Sequence, residues 1–257
     1  MLRGRALRPP PLSVGVNVPK IYFEELFDEL GCPHPEPAIN AFPKWFKDMP
    51  KFVDPKIHGK SGVRKIGTIR DCPAVNDAMS FGYTIYLPGD VFIDATGDTI
   101  KYDTGTFGNG SRITDAEFDF ITNHDPIQTS GYQSMFDFHK QALKWQTYWG
   151  VRTDEGYSTM FVHPMHRNDL PFYSVTAIVD TDRFATRSPY AFFVKKGFKG
   201  IIHRGTPMLQ VIPFKREDWE MEIVEPDSKN YHKNIQKLGS VFSQPYKKLF
   251  WQRKKFN

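Results

Sequence analysis

Hydrophobic and polar positions alternate most regularly between Gly156 and Arg216. Five short runs stand out there: Tyr157–His163, Phe172–Val179, Tyr190–Val194, Gly200–Ile202 and Met208–Phe214. Turn-forming groups separate them at Arg167-Asn168-Asp169, Arg187-Ser188-Pro189, Lys196-Gly197 and Arg204-Gly205-Thr206-Pro207. Strands of this kind at about 8–12-residue spacing predict an all-β sandwich or barrel. Ile66–Ile93 continues the theme: Ile66, Thr68 and Ile69, then Tyr83, Ile85, Tyr86 and Leu87, then Val91, Phe92 and Ile93. Pro88-Gly89-Asp90 reads as a turn, and Ala95-Thr96-Gly97-Asp98 as a hairpin connection into Thr99-Ile100-Lys101-Tyr102.

Helical spacing is rarer. Residues 103–133, rich in Gly, Asn, Asp and Thr, read as a long loop. Ser134 is then placed to cap a helix whose stripe is Met135, Phe138, Ala142 and Trp145, a stripe that reads as core packing. Ser228–Leu238 predicts an amphipathic helix with Tyr231, Ile235 and Leu238 inward. At Ile21–Leu30, Phe23, Leu26, Phe27 and Leu30 fall at helical spacing before Gly31, while Ile21-Tyr22-Phe23 equally begins a strand. Prolines recur from Gly31 to Pro55, so an irregular layer held down by aromatics is expected around Pro43–Lys47. The organisation is therefore an N-terminal arm and Pro-rich aromatic layer (1–55), a β-rich core (56–226) with a loop–helix insertion (103–150), and a C-terminal helix and basic tail (227–257).

Composition narrows this picture. The chain has 257 residues with 22 Phe and 20 Pro, which suits sheets and loops better than helix bundles. Cys32 and Cys72 each precede a proline. Two thiols make no disulfide framework and point to a reducing compartment. The N-terminus carries Arg3, Arg5 and Arg8 before three prolines and lacks the apolar run of a signal peptide. Nowhere do roughly 18 apolar residues run together, so no membrane span is expected.

The net charge of +5 is concentrated at one end. From Ser228 to Asn257 there are eight Lys or Arg and no acid. Lys247, Lys248, Trp251, Arg253, Lys254 and Lys255 interleave charge with aromatics, a pattern that contacts nucleic acid phosphates, an anionic partner or a neighbouring subunit.

Candidate chemistry is sparse. His163 and His166 stand three apart, which on a strand points them to opposite faces, and His124, His139 and His203 lie elsewhere. No metal site is expected. Asp180 and Asp182 share one strand face and, with Arg183, form a polar cluster, read either as a functional pair or as a turn cap bonding backbone amides. Gly105, Gly108 and Gly110 lack the strand-to-helix context of a phosphate loop.

Two resemblances follow. Lys144-Trp145-x-x-Tyr148-Trp149, Gly156-Tyr157-Ser158, Phe161-x-His163-Pro164, Asp169-Leu170-Pro171-Phe172 and Val179–Phe184, with Cys72-Pro73 and Asp77-Ala78-Met79-Ser80-x-Gly82-Tyr83, resemble an uncharacterised family from tailed phages, notably cyanophages, and some bacteria. That resemblance spans most of residues 40–215 and implies no activity. The order of motifs is also similar to the dUTPase / dCTP deaminase superfamily, a β-clip fold that assembles as trimers. Ser80-x-Gly82-Tyr83-x-x-Tyr86 with Asp90-Val91-x-Ile93 resembles its first motif. Ala177–Asp182 resembles its third, and Ile202–Ile212 its closing strand–turn–strand.

The departures bear on activity. Thr84 stands where that superfamily has an acid, and Arg183 or Phe184 where it has a Tyr. No Arg-Ser-Gly segment appears near His166-Arg167-Asn168, and a Lys- and Trp-bearing tail replaces the glycine-rich arm. The resemblance thus implies a mainly β, β-clip-like scaffold with its catalytic positions lost. The expected function is a non-catalytic phage structural or assembly protein, found in the virion or host cytoplasm, working as a homo-oligomer with other virion proteins. The competing readings are a nucleotide-binding or Mg²⁺-dependent nucleotide-hydrolysing enzyme using Asp180, Asp182 and Gln210, and a host-directed binding protein using the basic tail.

Overall fold

The computed structural model describes residues 18–26, 31–54, 57, 66–105, 119–132, 137–241 and 244–256. The first half of the chain holds β1 (Ile21–Glu25), β2 (Glu36–Pro37), α1 (Lys44–Asp48), β3 (Phe52–Val53), β4 (Ile66–Gly67), α2 (Pro73–Ser80), β5 (Tyr83–Tyr86), β6 (Val91–Asp94), β7 (Lys101–Asp103) and β8 (Ile121–Asn123). The second half holds β9 (Phe138–Gln146), β10 (Trp149–Thr153), β11 (Tyr157–Val162), β12 (Phe172–Ser174), β13 (Ala177–Val179), β14 (Pro189–Lys195), β15 (Lys199–Ile202), β16 (Pro207–Lys215), α3 (Ser228–Ser240) and α4 (Pro245–Leu249). The protein is mainly β, with several small sheets and a few short helices.

Five strands pair in the order β13-β11-β16-β5-β2, four as β12-β14-β9-β8, and three as β15-β6-β7; β1 pairs with β10 and β3 with β4. Every pairing is antiparallel. One buried cluster takes side chains from all three larger sheets, among them Ile85, Ile93, Trp145, Phe161, Phe192 and Leu209. Trp145 stacks flat on Phe192, centroids 3.5 Å apart, and donates its indole N–H to Ser174 Oγ at 3.0 Å. Ser174 in turn donates to the Met208 carbonyl, so the polar atoms of this centre are satisfied.

Strand β16 lies between β11 and β5 and is buried from Pro207 to Ile212. A strand covered on both faces reads as a nearly continuous apolar run, and its sequence, PMLQVIPF, is apolar apart from Gln210. The turn after α2 has one solution. Gly82 has φ +76°, and a Cβ there would sit 2.1 Å from the Val211 carbonyl oxygen, so only glycine lets the helix end approach β16 this closely.

The structure departs from the sequence reading in six places; helix α1 forms inside the layer expected to be irregular, and β8 inside the expected 103–133 loop. The helix expected across Met135–Trp145 is instead strand β9, lying between β14 and β8, so residues 138–150 belong to the core sheets rather than to a loop–helix insertion; the cap at Ser134 lies outside the described residues. The inward positions of β9 are His139, Leu143 and Trp145, a period of two disguised by a buried histidine. The predicted strand Phe172–Val179 is two strands, because the chain crosses from the four-stranded to the five-stranded sheet between Ser174 and Ala177. Pro73–Ser80, inside the stretch Ile66–Ile93 read as strand-like, is instead a helix with Pro at its first position. Helix α3 forms as expected, but Tyr231 is 62% and Ile235 49% exposed rather than inward. The Ile21 ambiguity resolves as a strand, and the 95–98 connection as the β6–β7 hairpin. The arm at 1–17 lies outside the described residues.

Candidate functional site

Asp180, Thr181 and Asp182 follow β13 in a turn that caps the connection between β10 and β11. Asp182 accepts the Gly156 N–H at 2.9 Å, and Gly156 adopts φ +86° to present it. Arg216, the first residue after β16, donates to Asp182 Oδ1 at 2.9 Å and again to Oδ2, a bidentate pair. The same guanidinium reaches the Tyr157 carbonyl and Ser158 Oγ, both at 3.0 Å, and Asp180 Oδ1 at 3.5 Å. The Asp182 carboxylate is 3% exposed. Arg216 first, and then the Gly156 amide, hold it well below the usual carboxylate range. Beneath the turn, Thr181 Oγ1 sits 2.8 Å from both Thr153 Oγ1 and Thr159 Oγ1, all three hydroxyls buried. Asp182 is thus a turn cap and an ion-pair partner, with its lone pairs already engaged.

Gln210 is equally occupied. Its Oε1 accepts the Met165 N–H at 3.0 Å, and its Nε2 donates to the carbonyls of Ala78 and Phe81 at 2.9 and 2.6 Å. At 2% exposure it ties β16 to the end of α2 and to the turn after β11. Gln210 pairs opposite Val162, whereas Asp182 bonds Gly156 at the other end of the same strand. Six residues of strand separate those points by about 20 Å. The expected pocket residues are therefore not brought together within one chain. Thr84 pairs opposite Gln210 and is 1% exposed, so the position where the dUTPase-type motif has an acid lies inside the sheet.

Two of the histidines are committed as well. His163 Nδ1 accepts the Ser174 N–H, so its Nε2 carries the proton and donates to the Arg167 carbonyl. Burial lowers its basicity further. His139 repeats the arrangement with the Gln141 N–H and the Gly97 carbonyl. Among the described residues no group of three His, Cys, Asp or Glu is placed to hold a metal. Cys32 and Cys72 are free thiols, and burial pushes Cys32 up to about 11. No helix among the described residues is long and apolar enough to cross a membrane.

The basic tail folds back on α2. Trp251 Nε1 and Lys254 Nζ both donate to Asp77 Oδ2, at 2.8 and 2.7 Å, and Gln244 donates to Asp71 at 2.6 Å. Phe256 packs edge-on against Phe81 and Tyr83. A cavity of about 540 Å³ opens between the tail, α2 and the Pro-rich layer; Lys247, Trp251, Arg253, Lys254 and Lys255 line it. Lys51 and Arg70 line its other side, and no spacing rule links them to a tail about 180 residues away. Arg216 was equally hidden, since a lone arginine at the end of a strand carries no signal for the carboxylate it clamps. No protein-family model matches the chain, and no curated protein sequence matches it.

Proposed function

We propose that this chain is a non-catalytic assembly protein, a phage virion component on a dUTPase-like scaffold, that forms homo-oligomers by docking an acidic arm onto a second copy. The carrying observation is the segment 217–227. All of its residues are exposed, including Trp219 at 90%, Met221 at 85% and Ile223 at 93%. These three alternate with Asp218, Glu220 and Glu222, the pattern of a strand with one apolar and one acidic face. Isolated apolar side chains on a surface are ordinary, but a contiguous run this exposed marks an interaction site.

The occupant follows from charge. Residues 217–227 hold six acids and no base, while α3, next in the chain, presents Lys229, Lys233 and Lys237 along one face and the exposed Tyr231 and Ile235 along the opposite face. Among the described residues neither surface is covered. Eleven extended residues reach about 36 Å, enough to cross to a neighbour. An arm laid with its apolar face on Tyr231 and Ile235 of a second copy covers apolar with apolar, while the opposite net charges of the arm and the lysine-bearing helix steer the encounter. The phage assignment rests on the family resemblance. The nucleotide-hydrolase reading is disfavoured because Asp182 and Gln210 spend their polar groups on Arg216 and on backbone.

Light scattering of the native chain and of a Trp219→Ser/Met221→Ser/Ile223→Ser variant tests the reading. An oligomer, a trimer if the β-clip likeness extends to assembly, that dissociates in the variant is expected. A native monomer overturns self-assembly, and absence of the protein from purified virions overturns the virion role. Pyrophosphate release from dUTP or dCTP with Mg²⁺ would restore the enzyme reading.

A further inference from the structure

The cavity beneath the tail has an unusual charge inventory. Its cations are Lys51, Arg70, Lys247, Arg253, Lys254 and Lys255, and its carboxylates are Asp71 and Asp77, an excess of four positive charges. Both carboxylates are spent internally, Asp71 on Gln244 and Asp77 on Trp251 and Lys254. Arg70 gives one guanidinium nitrogen to the Met49 carbonyl. Among the described residues the side chains of Lys51, Lys247, Arg253 and Lys255 make no ion pair or hydrogen bond. Like charges gathered around a concave surface raise the local potential and attract anions. Ile39, Phe42 and Phe256 line the same space, so it offers an apolar surface beside the charge. Its volume falls in the range of small-ligand sites, about 300–1,000 Å³.

We propose that this cavity binds phosphate-bearing ligands, the phosphates held between Lys51 and Arg70 on one wall and Lys247, Arg253 and Lys255 on the other. A free nucleotide and the backbone of single-stranded nucleic acid both present that chemistry. The proposal does not rest on the assembly reading, since every lining residue comes from one chain and a monomer keeps the cavity whole.

Two probes separate the sources: a fluorescein-labelled oligothymidylate followed by anisotropy, and dTTP followed by thermal shift, each with the full-length chain. Binding of the oligonucleotide alone assigns the site to a polymer, and binding of dTTP alone assigns it to a nucleotide. For four neutralised phosphates, oligonucleotide affinity falls about 50-fold between about 50 and 200 mM salt. Lys51→Glu discriminates the cavity from a tail acting alone, because Lys51 lies far from the tail in sequence and its side chain bonds nothing. It is expected to weaken the bound probe at least about tenfold, while Lys51→Arg and the control Lys140→Glu, at an exposed position of β9, stay within about twofold. Lys255→Glu repeats the loss from the opposite wall. Native protein that binds neither probe at low salt overturns the proposal, as does Lys51→Glu binding within twofold of native.

Discussion

Strand β16 and the segment that follows it both carry large apolar side chains and have opposite fates. From Pro207 to Ile212 every residue is buried, paired with β11 on one side and β5 on the other. From Glu217 to Asp227 every residue is exposed, with Trp219, Met221 and Ile223 as bare as any in the protein. Arg216 stands between them, its guanidinium locked onto Asp182, Tyr157 and Ser158. Apolar content is therefore not enough to place a segment in the core. What differs is the partner: β16 finds both neighbours in its own chain, and the arm finds none among the described residues.

Substitutions can separate the two regions by what they change. The largest effect on folding is expected at Trp145→Ala, which empties a fully buried site stacked on Phe192 and should cost about 3–5 kcal/mol in denaturant unfolding. Gln210→Ala comes next. It strands the Met165 N–H and two carbonyls inside the protein and should cost about 2–4 kcal/mol. The expected oligomeric state of folded protein is unchanged in both, and a change would erase the division between core and arm.

Asp182 sharpens the boundary through pH. Its folded-state carboxyl titrates below the unfolded value, so it contributes stability above about pH 4 that is lost as pH falls through the folded value. Asp182→Asn should lower the melting temperature at neutral pH and flatten its decline on acidification below about pH 4. An acid limb unchanged in the variant would remove the ion pair from the account. The smallest folding effect is expected from Trp219→Ser, within about 0.5 kcal/mol, because the side chain touches nothing it would lose. Its assembly should nonetheless weaken at least about tenfold, as truncation of an interface tryptophan commonly does. A large loss of monomer stability would show that the arm belongs to the core.

Much of the core was legible because β11, β14, β15 and β16 carry apolar runs between clear turns. β9 was not, because His139 occupies an inward position of the strand and Gln141 spends its amide on the Ile100 N–H. Polar side chains there break the period of two and leave Phe138, Ala142 and Trp145 to mimic a helix. Helix α3 was legible as a helix but not in orientation, since a stripe says that something covers it and not whether the cover lies in the same chain. The candidate site divides the same way. Asp182 was found by its turn context, where the capping alternative was also visible. The cavity was only half found, because Lys51 and Arg70 join the tail through folding and not through spacing.

The clamp at Arg216 also has a mechanical meaning. If neighbours hold the arm, tension between them enters each subunit at Arg216 and runs into β16. That strand is bonded along both edges, so a pull along its axis loads many ladder hydrogen bonds at once instead of peeling them singly. Arg216 adds lateral anchors where the load enters, to the β11 backbone and to the Asp182 turn. A stretched assembly should therefore part at the docked arms while its subunits stay folded.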